Sequence, residues 1–182
     1  MIRHDAESWN LRDRHMVNVL ERLMEFHGDG AKCIIWAHNT HVGDARATDM
    51  EEDGMVNIGQ LLRETYDGQV YAVGLGTYQG TVIAGKEWGA PLKVMTVPPA
   101  IAGSWEELLH RKGPDDQLLM FDAHSSWSAQ KPIGHRAIGV VYHPRRERGN
   151  YVPTIIELRY DAFIFVDRSR ALTPVVVEPL FV

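Results

Sequence analysis

The sequence has 182 residues, 45% hydrophobic and 24% charged, which is typical of one globular domain and not of a disordered chain. Its formal net charge of −5 disfavours nucleic acid as a partner, because phosphate binding needs a basic surface. The single cysteine, Cys33, excludes an intrachain disulfide and a cysteine-based zinc site. No apolar run predicts a signal peptide or a membrane span, so we expect a cytoplasmic protein without a membrane partner.

The first predicted element is a helix over about Ser8–His27. Apolar residues recur there at intervals of three and four, which predicts one buried face. Asp13 lies on that face, where a carboxylate needs a partner if it is buried. The pattern leaves two interpretations open: a structural ion pair with Arg12, or a place in a functional site.

Two histidines follow the next apolar run. Cys33–Ala37 predicts a buried strand, with Cys33 itself buried as a small hydrophobic residue. His38 and His41 come directly after it, where α/β proteins place ligand-binding groups. Histidine near neutral pH serves as general base, general acid or metal ligand. We predict that both rings face one cleft, and the spacing alone leaves catalysis and metal binding open.

The remaining elements predict an α/β fold with a mostly parallel sheet flanked by helices. A glycine-rich stretch, residues 74–80, superficially resembles a phosphate loop, but neither a Lys-Ser/Thr pair nor a helix follows it. Its glycines indicate a tight turn or a close approach of the backbone instead. The predicted helices cover 55–66 and 105–111, the second capped by Ser104, and the predicted strands cover 70–74, 81–84, 92–97, 117–122, 137–142 and 162–166.

Six pieces of the sequence, spread over nearly the whole chain, match one known family in the family's own order. They are Arg12-Asp13 with Met16, Trp36–Val42, Asn57–Leu62, Val73–Gly76 with Gly80, His135–Tyr142 and Tyr160–Ile164. On these residues the chain resembles the C-terminal half of erythromycin esterase-like proteins. The resemblance implies one α/β domain over residues 1–182 that is incomplete relative to the full family fold.

The resemblance also implies a function, the hydrolysis of esters by activated water. The best-known members open macrolactones, an antibiotic-resistance activity, without a covalent serine or a cofactor. The resemblance implies that His38 and His41 are catalytic, that Arg12 stabilises the oxyanion, and that Asn39 contacts the small-molecule ester substrate. The sequence has no G-x-S-x-G nucleophile motif, in agreement with this chemistry.

The family's presumed general base lies in an N-terminal segment that has no counterpart in this chain. We therefore expect the chain alone to hydrolyse esters, including macrolides, very poorly or not at all. We also expect an exposed apolar face that the missing N-terminal half or another chain would cover.

Two other classes of function stay open at this point. A metal-dependent hydrolase would use His38, His41 and Asp44 as ligands, because three protein ligands and a water form the usual catalytic zinc site. A non-catalytic remnant would keep the fold and lack the chemistry.

Overall fold

The computed structural model describes residues 6–121 and 131–173. Two 3₁₀ segments, Ala45–Ala47 and Pro144–Asn150, accompany the regular elements. The helices are α1 (Ala6–His27), α2 (Asn39–Val42), α3 (Ile58–Thr65), α4 (Trp105–Lys112) and α5 (Ile156–Arg159). The strands are β1 (Val73–Ala84), β2 (Lys93–Val97), β3 (Gln117–Met120), β4 (Ile133–Arg136), β5 (Tyr151–Thr154) and β6 (Ala162–Ser169). No helix within the described ranges has both the length and the apolar character needed to cross a membrane.

The main sheet has the order β2-β1-β6-β3, and β4 pairs with β5 in a second, two-stranded sheet. The α/β fold expected from the sequence is confirmed, but the sheet is mixed: β1 and β6 run parallel, whereas the other pairs are antiparallel. The physical reason lies in the connections. Only eight or so residues join β1 to β2, enough for an antiparallel neighbour, whereas a parallel neighbour needs a crossover of a dozen or more.

The predicted strand over Cys33–Ala37 is wrong. In the described part of the chain these residues form neither a strand nor a backbone hydrogen bond. Cys33 is exposed, and the side chains of Ile34 and Trp36 are 92% and 90% exposed. The apolar pattern indicates that this segment favours burial. It does not show whether another strand lies beside the segment to pair with it.

Three other strand predictions differ from the structure. The end of the strand predicted over 70–74 and the strand predicted over 81–84 belong to one long strand, β1, because the glycine-rich stretch between them continues the ladder with β6. The strand predicted over 137–142 is replaced by β4, which lies just before it, and 137–142 adds only an isolated bridge from Val141 to Gly85. Asp122, the last residue of the strand predicted over 117–122, lies outside the described residues.

The main core lies on one face of the sheet, between β6 and helices α4 and α5. A separate, smaller cluster joins α1 to α3 through Val17, Ile58 and Leu62. The opposite face of the sheet carries exposed apolar side chains, including Leu75, Leu118 and Ile164. The buried residues of the main core are Trp105, Leu109, Leu119, Ile156, Tyr160, Phe163 and Phe165.

Candidate active site

The short helix α2 presents the two histidines, and helix α3 holds it in place. Asn57 caps α3 by accepting the Gln60 N–H, and its amide donates to the carbonyls of Thr40 and Gly43 around α2. Gly59 lets the two helices approach, because a Cβ on residue 59 would collide with the carbonyl oxygen of Val42. The cap and the glycine therefore set the position of α2 on the rest of the fold.

His41 is paired with Asp13, which α1 contributes. The Asp13 side chain is fully buried, and its Oδ2 lies 2.9 Å from His41 Nδ1 and accepts the Ile58 N–H. In the neutral ring the carboxylate places the proton on Nδ1, so Nε2 is an unprotonated acceptor. No described residue bonds to that Nε2, and 19% of the His41 side chain is exposed. The ring also stacks on Trp9, parallel and 4.7 Å away.

Arg12 approaches the same group of residues. Its guanidinium carbon lies 4.6 Å from the Trp9 ring centroid, and its Nε lies 3.6 Å from Asp13 Oδ1. Arg12 and His41 thus both contact the Trp9 ring. Asp13 thus lies beside Arg12 and also contacts His41, and its place in a functional site stays a prediction.

His38 has a different environment. Its Nε2 lies 2.9 Å from the carbonyl oxygen of Ile138, and its Nδ1 accepts from the hydroxyl and the N–H of Thr40 as the N-cap of α2. Desolvation lowers the pKa of His38 below its ordinary value and outweighs the hydrogen bond to the Ile138 carbonyl, which raises the pKa. The ring is therefore neutral near pH 7, with both nitrogens engaged.

Asn39 binds the protein itself. Its Nδ2 donates to the Leu75 carbonyl over 2.5 Å, and its Oδ1 accepts the Leu75 N–H over 3.2 Å. Nδ2 also lies 3.3 Å from Nε2 of His135. The amide that we predicted to contact substrate is thus occupied by β1 and β4.

A second histidine–carboxylate pair lies behind α2. His135 Nδ1 is 2.6 Å from Glu106 Oε1, and both side chains are fully buried. Sequence reasoning missed both: Glu106 looks like an ordinary acidic residue in the first turn of a helix. The only available signal for His135 was its place in the His135–Tyr142 piece shared with the family.

The predicted metal-ligand set is not formed. Asp44 caps the Ala45–Ala47 segment, and its Oδ2 lies 2.7 Å from Arg46 and 3.4 Å from Arg63. Burial alone would raise the pKa of Asp44, but the hydrogen bonds and the charge of Arg46 outweigh it and lower the pKa. Over residues 6–121 and 131–173, no group of three or more His, Cys, Asp or Glu side chains is arranged to hold a metal ion.

The family model of erythromycin esterase matches residues 1–169. The chain belongs to the erythromycin esterase family. The resemblance read from the sequence is thereby confirmed, and membership supports a hydrolase-like function in general.

Solved structures with the same fold are much longer than this member of the erythromycin esterase family. A succinoglycan biosynthesis protein aligns with a TM-score of 0.74 at 19% identity, over 92% of this chain and 40% of its own. A Bacillus cereus protein aligns with a TM-score of 0.73 at 16% identity, over 91% of this chain and 40% of its own. A mutant of the erythromycin esterase EreC in its open conformation aligns with a TM-score of 0.61 at 20% identity, over 88% of this chain and 38% of its own. This chain therefore spans about two fifths of their length.

Proposed function

We propose that this chain carries the catalytic histidine centre of an ester hydrolase, in which His41 substitutes for the family's N-terminal general base and accepts a proton from the attacking water. The observation that supports the proposal is the contact of His41 Nδ1 with the buried Asp13 carboxylate, which leaves Nε2 free as a base. A carboxylate in this position fixes the tautomer and stabilises the imidazolium that forms during the reaction.

The proposed reaction needs only water and the ester. His41 Nε2 takes one water proton while the water oxygen adds to the ester carbonyl, which gives a tetrahedral oxyanion. The intermediate then expels the alcohol oxygen, which receives the same proton from the His41 imidazolium, so that acid and alcohol leave and the enzyme is regenerated. We assign stabilisation of the oxyanion to Arg12, whose side chain is half exposed beside Trp9.

We propose esters of the macrolactone class as substrates, on the strength of family membership. The chain alone should turn them over very slowly, because it spans only about two fifths of the solved neighbours and lacks the groups that the rest would use to orient a substrate. In the functional hydrolase, we propose, polypeptide corresponding to that remaining part covers the exposed sheet face around Leu75 and Ile164.

The test is an ester-hydrolysis assay on the purified chain with a macrolide and with an activated aryl ester. Hydrolysis of the aryl ester measures the contribution of the general base, because the leaving group of this ester needs little protonation or positioning. We expect measurable aryl-ester turnover that a His38→Ala, His41→Ala double variant loses and that the exposed-site control His15→Ala keeps. Equal rates for the wild type and the double variant would refute the proposal, and robust macrolide turnover would show that this chain is sufficient by itself.

A further inference from the structure

A buried pair, Glu106 and His135, lies outside the chemistry proposed for His41. Glu106 comes from α4 and His135 from β4, and neither side chain is exposed to solvent. Glu106 Oε1 also accepts the Arg136 N–H over 3.0 Å, while its Oε2 is buried without a hydrogen-bond partner among the described residues. Burying polar groups without hydrogen-bond partners costs free energy, so a buried pair of this kind needs a structural or functional reason.

The orientation of the Asn39 amide can be assigned from its backbone contacts. Its oxygen accepts the Leu75 N–H, and its nitrogen donates to the Leu75 carbonyl. Reversing the amide would set donor against donor and acceptor against acceptor at both contacts. The nitrogen that faces His135 Nε2 at 3.3 Å is therefore a donor.

A second polar group faces the same His135 nitrogen. The Tyr160 hydroxyl also lies 3.3 Å from Nε2, and burial raises the pKa of Tyr160, so the hydroxyl keeps its proton and can donate it. The Asn39 donor directed at Nε2 requires this nitrogen to be unprotonated, and the Tyr160 hydroxyl is able to donate to it as well. The proton of the neutral ring is then on Nδ1, from which it is donated to Glu106.

We propose that His135, with its tautomer selected by Glu106, is a positioning residue of the hydrolase centre. Its Nε2 accepts a hydrogen bond from the Asn39 amide and thereby fixes the start of α2. This helix presents His38 and His41. The aromatic rings of Tyr160 and Phe163 pack edge-on against the imidazole, 5.9 and 5.3 Å between centroids, and keep it in this orientation.

A glycine on the neighbouring strand β1 leaves space for the contact between Glu106 and His135. Gly76 on β1 lies against the pair, since a Cβ there would approach Glu106 Oε1 to 3.3 Å and press into the Phe163 ring. The glycine-rich stretch of β1 thus serves a close approach between side chains and backbone. The role of His135 in catalysis rests on the proposed function, whereas its tautomer and its bond to Asn39 do not.

Two substitutions at one position separate the two bonds of His135. His135→Asn keeps a donor near the Nδ1 position for Glu106 and loses the acceptor for Asn39. His135→Gln places an acceptor near the Nε2 position, where Asn39 needs it. His143→Asn, at an exposed histidine without a side-chain cap bond, is the matched control.

The measurement is ¹⁵N NMR of the imidazoles and of the Asn39 side-chain amide, with aryl-ester kinetics on the same samples. We expect the wild-type His135 ring to carry its proton on Nδ1. In His135→Asn the Asn39, His38 and His41 signals should move and kcat should fall by roughly 10- to 100-fold with little change in KM, as misplacement of a catalytic group predicts. His135→Gln should restore both toward the wild type, and His143→Asn should change neither.

Two results would overturn the proposal: a wild-type His135 with its proton on Nε2, or a His135→Asn variant whose Asn39 and histidine signals stay unchanged. The wild-type tautomer decides the question even if a variant fails to fold. Absence of turnover by the wild type would refute the esterase proposal alone, because the NMR signals still report whether His135 holds Asn39.

Discussion

His38 and His41 are three positions apart, yet their side chains have opposite hydrogen-bonding states. Both nitrogens of His38 are bonded to the protein, whereas the described residues bond to the His41 ring at Nδ1 alone. A general base needs a free lone pair within reach of the water, so the two rings are not interchangeable. We therefore assign the base to His41 and a structural role to His38.

The residue that gives His41 its proposed reactivity is Asp13. In Asp13→Asn the amide can donate to Nδ1, which places the imidazole proton on Nε2 and removes the base. We expect aryl-ester turnover to fall by roughly 10²- to 10⁴-fold, as for comparable carboxylate–histidine pairs. Steady-state kinetics beside Asp29→Asn, the same change at an exposed carboxylate, checks this; an undiminished rate in Asp13→Asn would contradict it.

The lowered pKa of His38 makes folding stability depend on pH. In the unfolded chain the ring takes up a proton near its ordinary pKa of 6.5, whereas in the folded protein the pKa is lower. The contribution of His38 to the free energy of unfolding is therefore fully present above pH 6.5. It is lost as the pH falls through that value toward the pKa of the folded state. Urea unfolding across this range should show a smaller pH dependence in His38→Gln than in the wild type or in His15→Gln. Equal pH dependence in all three would exclude this role.

Among the helices, the sequence predicts α1, α3 and α4 well, whereas the one-turn helices α2 and α5 were not predicted. The period of α1, and Ser104 as the cap of α4, were both visible because they are local patterns. Pairings between distant residues were not visible: Asn39 with Leu75 and Glu106 with His135 depend on where the chain returns. For the same reason the sequence pointed to His38, His41, Arg12 and Asn39 and left the role of Asp13 open, whereas the pairing of Asp13 with His41 came from the structure.

The contact between α2 and α3 depends on Gly59. Replacing a helical glycine by alanine ordinarily stabilises a helix by about 1 kcal/mol. At Gly59 the added methyl meets the Val42 carbonyl, so we expect Gly59→Ala to destabilise the protein by roughly 1–3 kcal/mol. Gly149→Ala is the control, since no atom lies within 4 Å of its Cβ position. Denaturant unfolding measures both, and a stabilised Gly59→Ala would show that α2 is not held this way.

For the whole molecule, the asymmetry of the sheet is the main feature. One face packs on α4 and α5, and the other leaves Leu75, Ile164 and Leu118 exposed as neighbours on β1, β6 and β3. Monomeric proteins seldom expose large contiguous apolar patches. The exposed segment around Trp36 adds to the apolar surface that precedes the histidines.

Adjacent leucines on β3 test this asymmetry. Leu118 is 67% exposed and Leu119 is 7% exposed. Leu118→Lys should change the free energy of unfolding by no more than about 0.5 kcal/mol and should reduce self-association of the isolated chain. Leu119→Lys should unfold the protein, because it buries an unpaired charge. Sedimentation velocity and urea unfolding check both, and a Leu118→Lys variant as unstable as Leu119→Lys would show that the face is buried.

The proposed function depends on His41, oriented by Asp13, as the base of an ester hydrolase. The most direct measurement is the rate of aryl-ester hydrolysis by the wild-type chain and by His41→Ala at the same pH. We predict a wild-type rate above the buffer reaction and a fall of roughly 10²- to 10⁴-fold in its enzymatic part for His41→Ala. A wild-type rate that His41→Ala reproduces in full would contradict the claim.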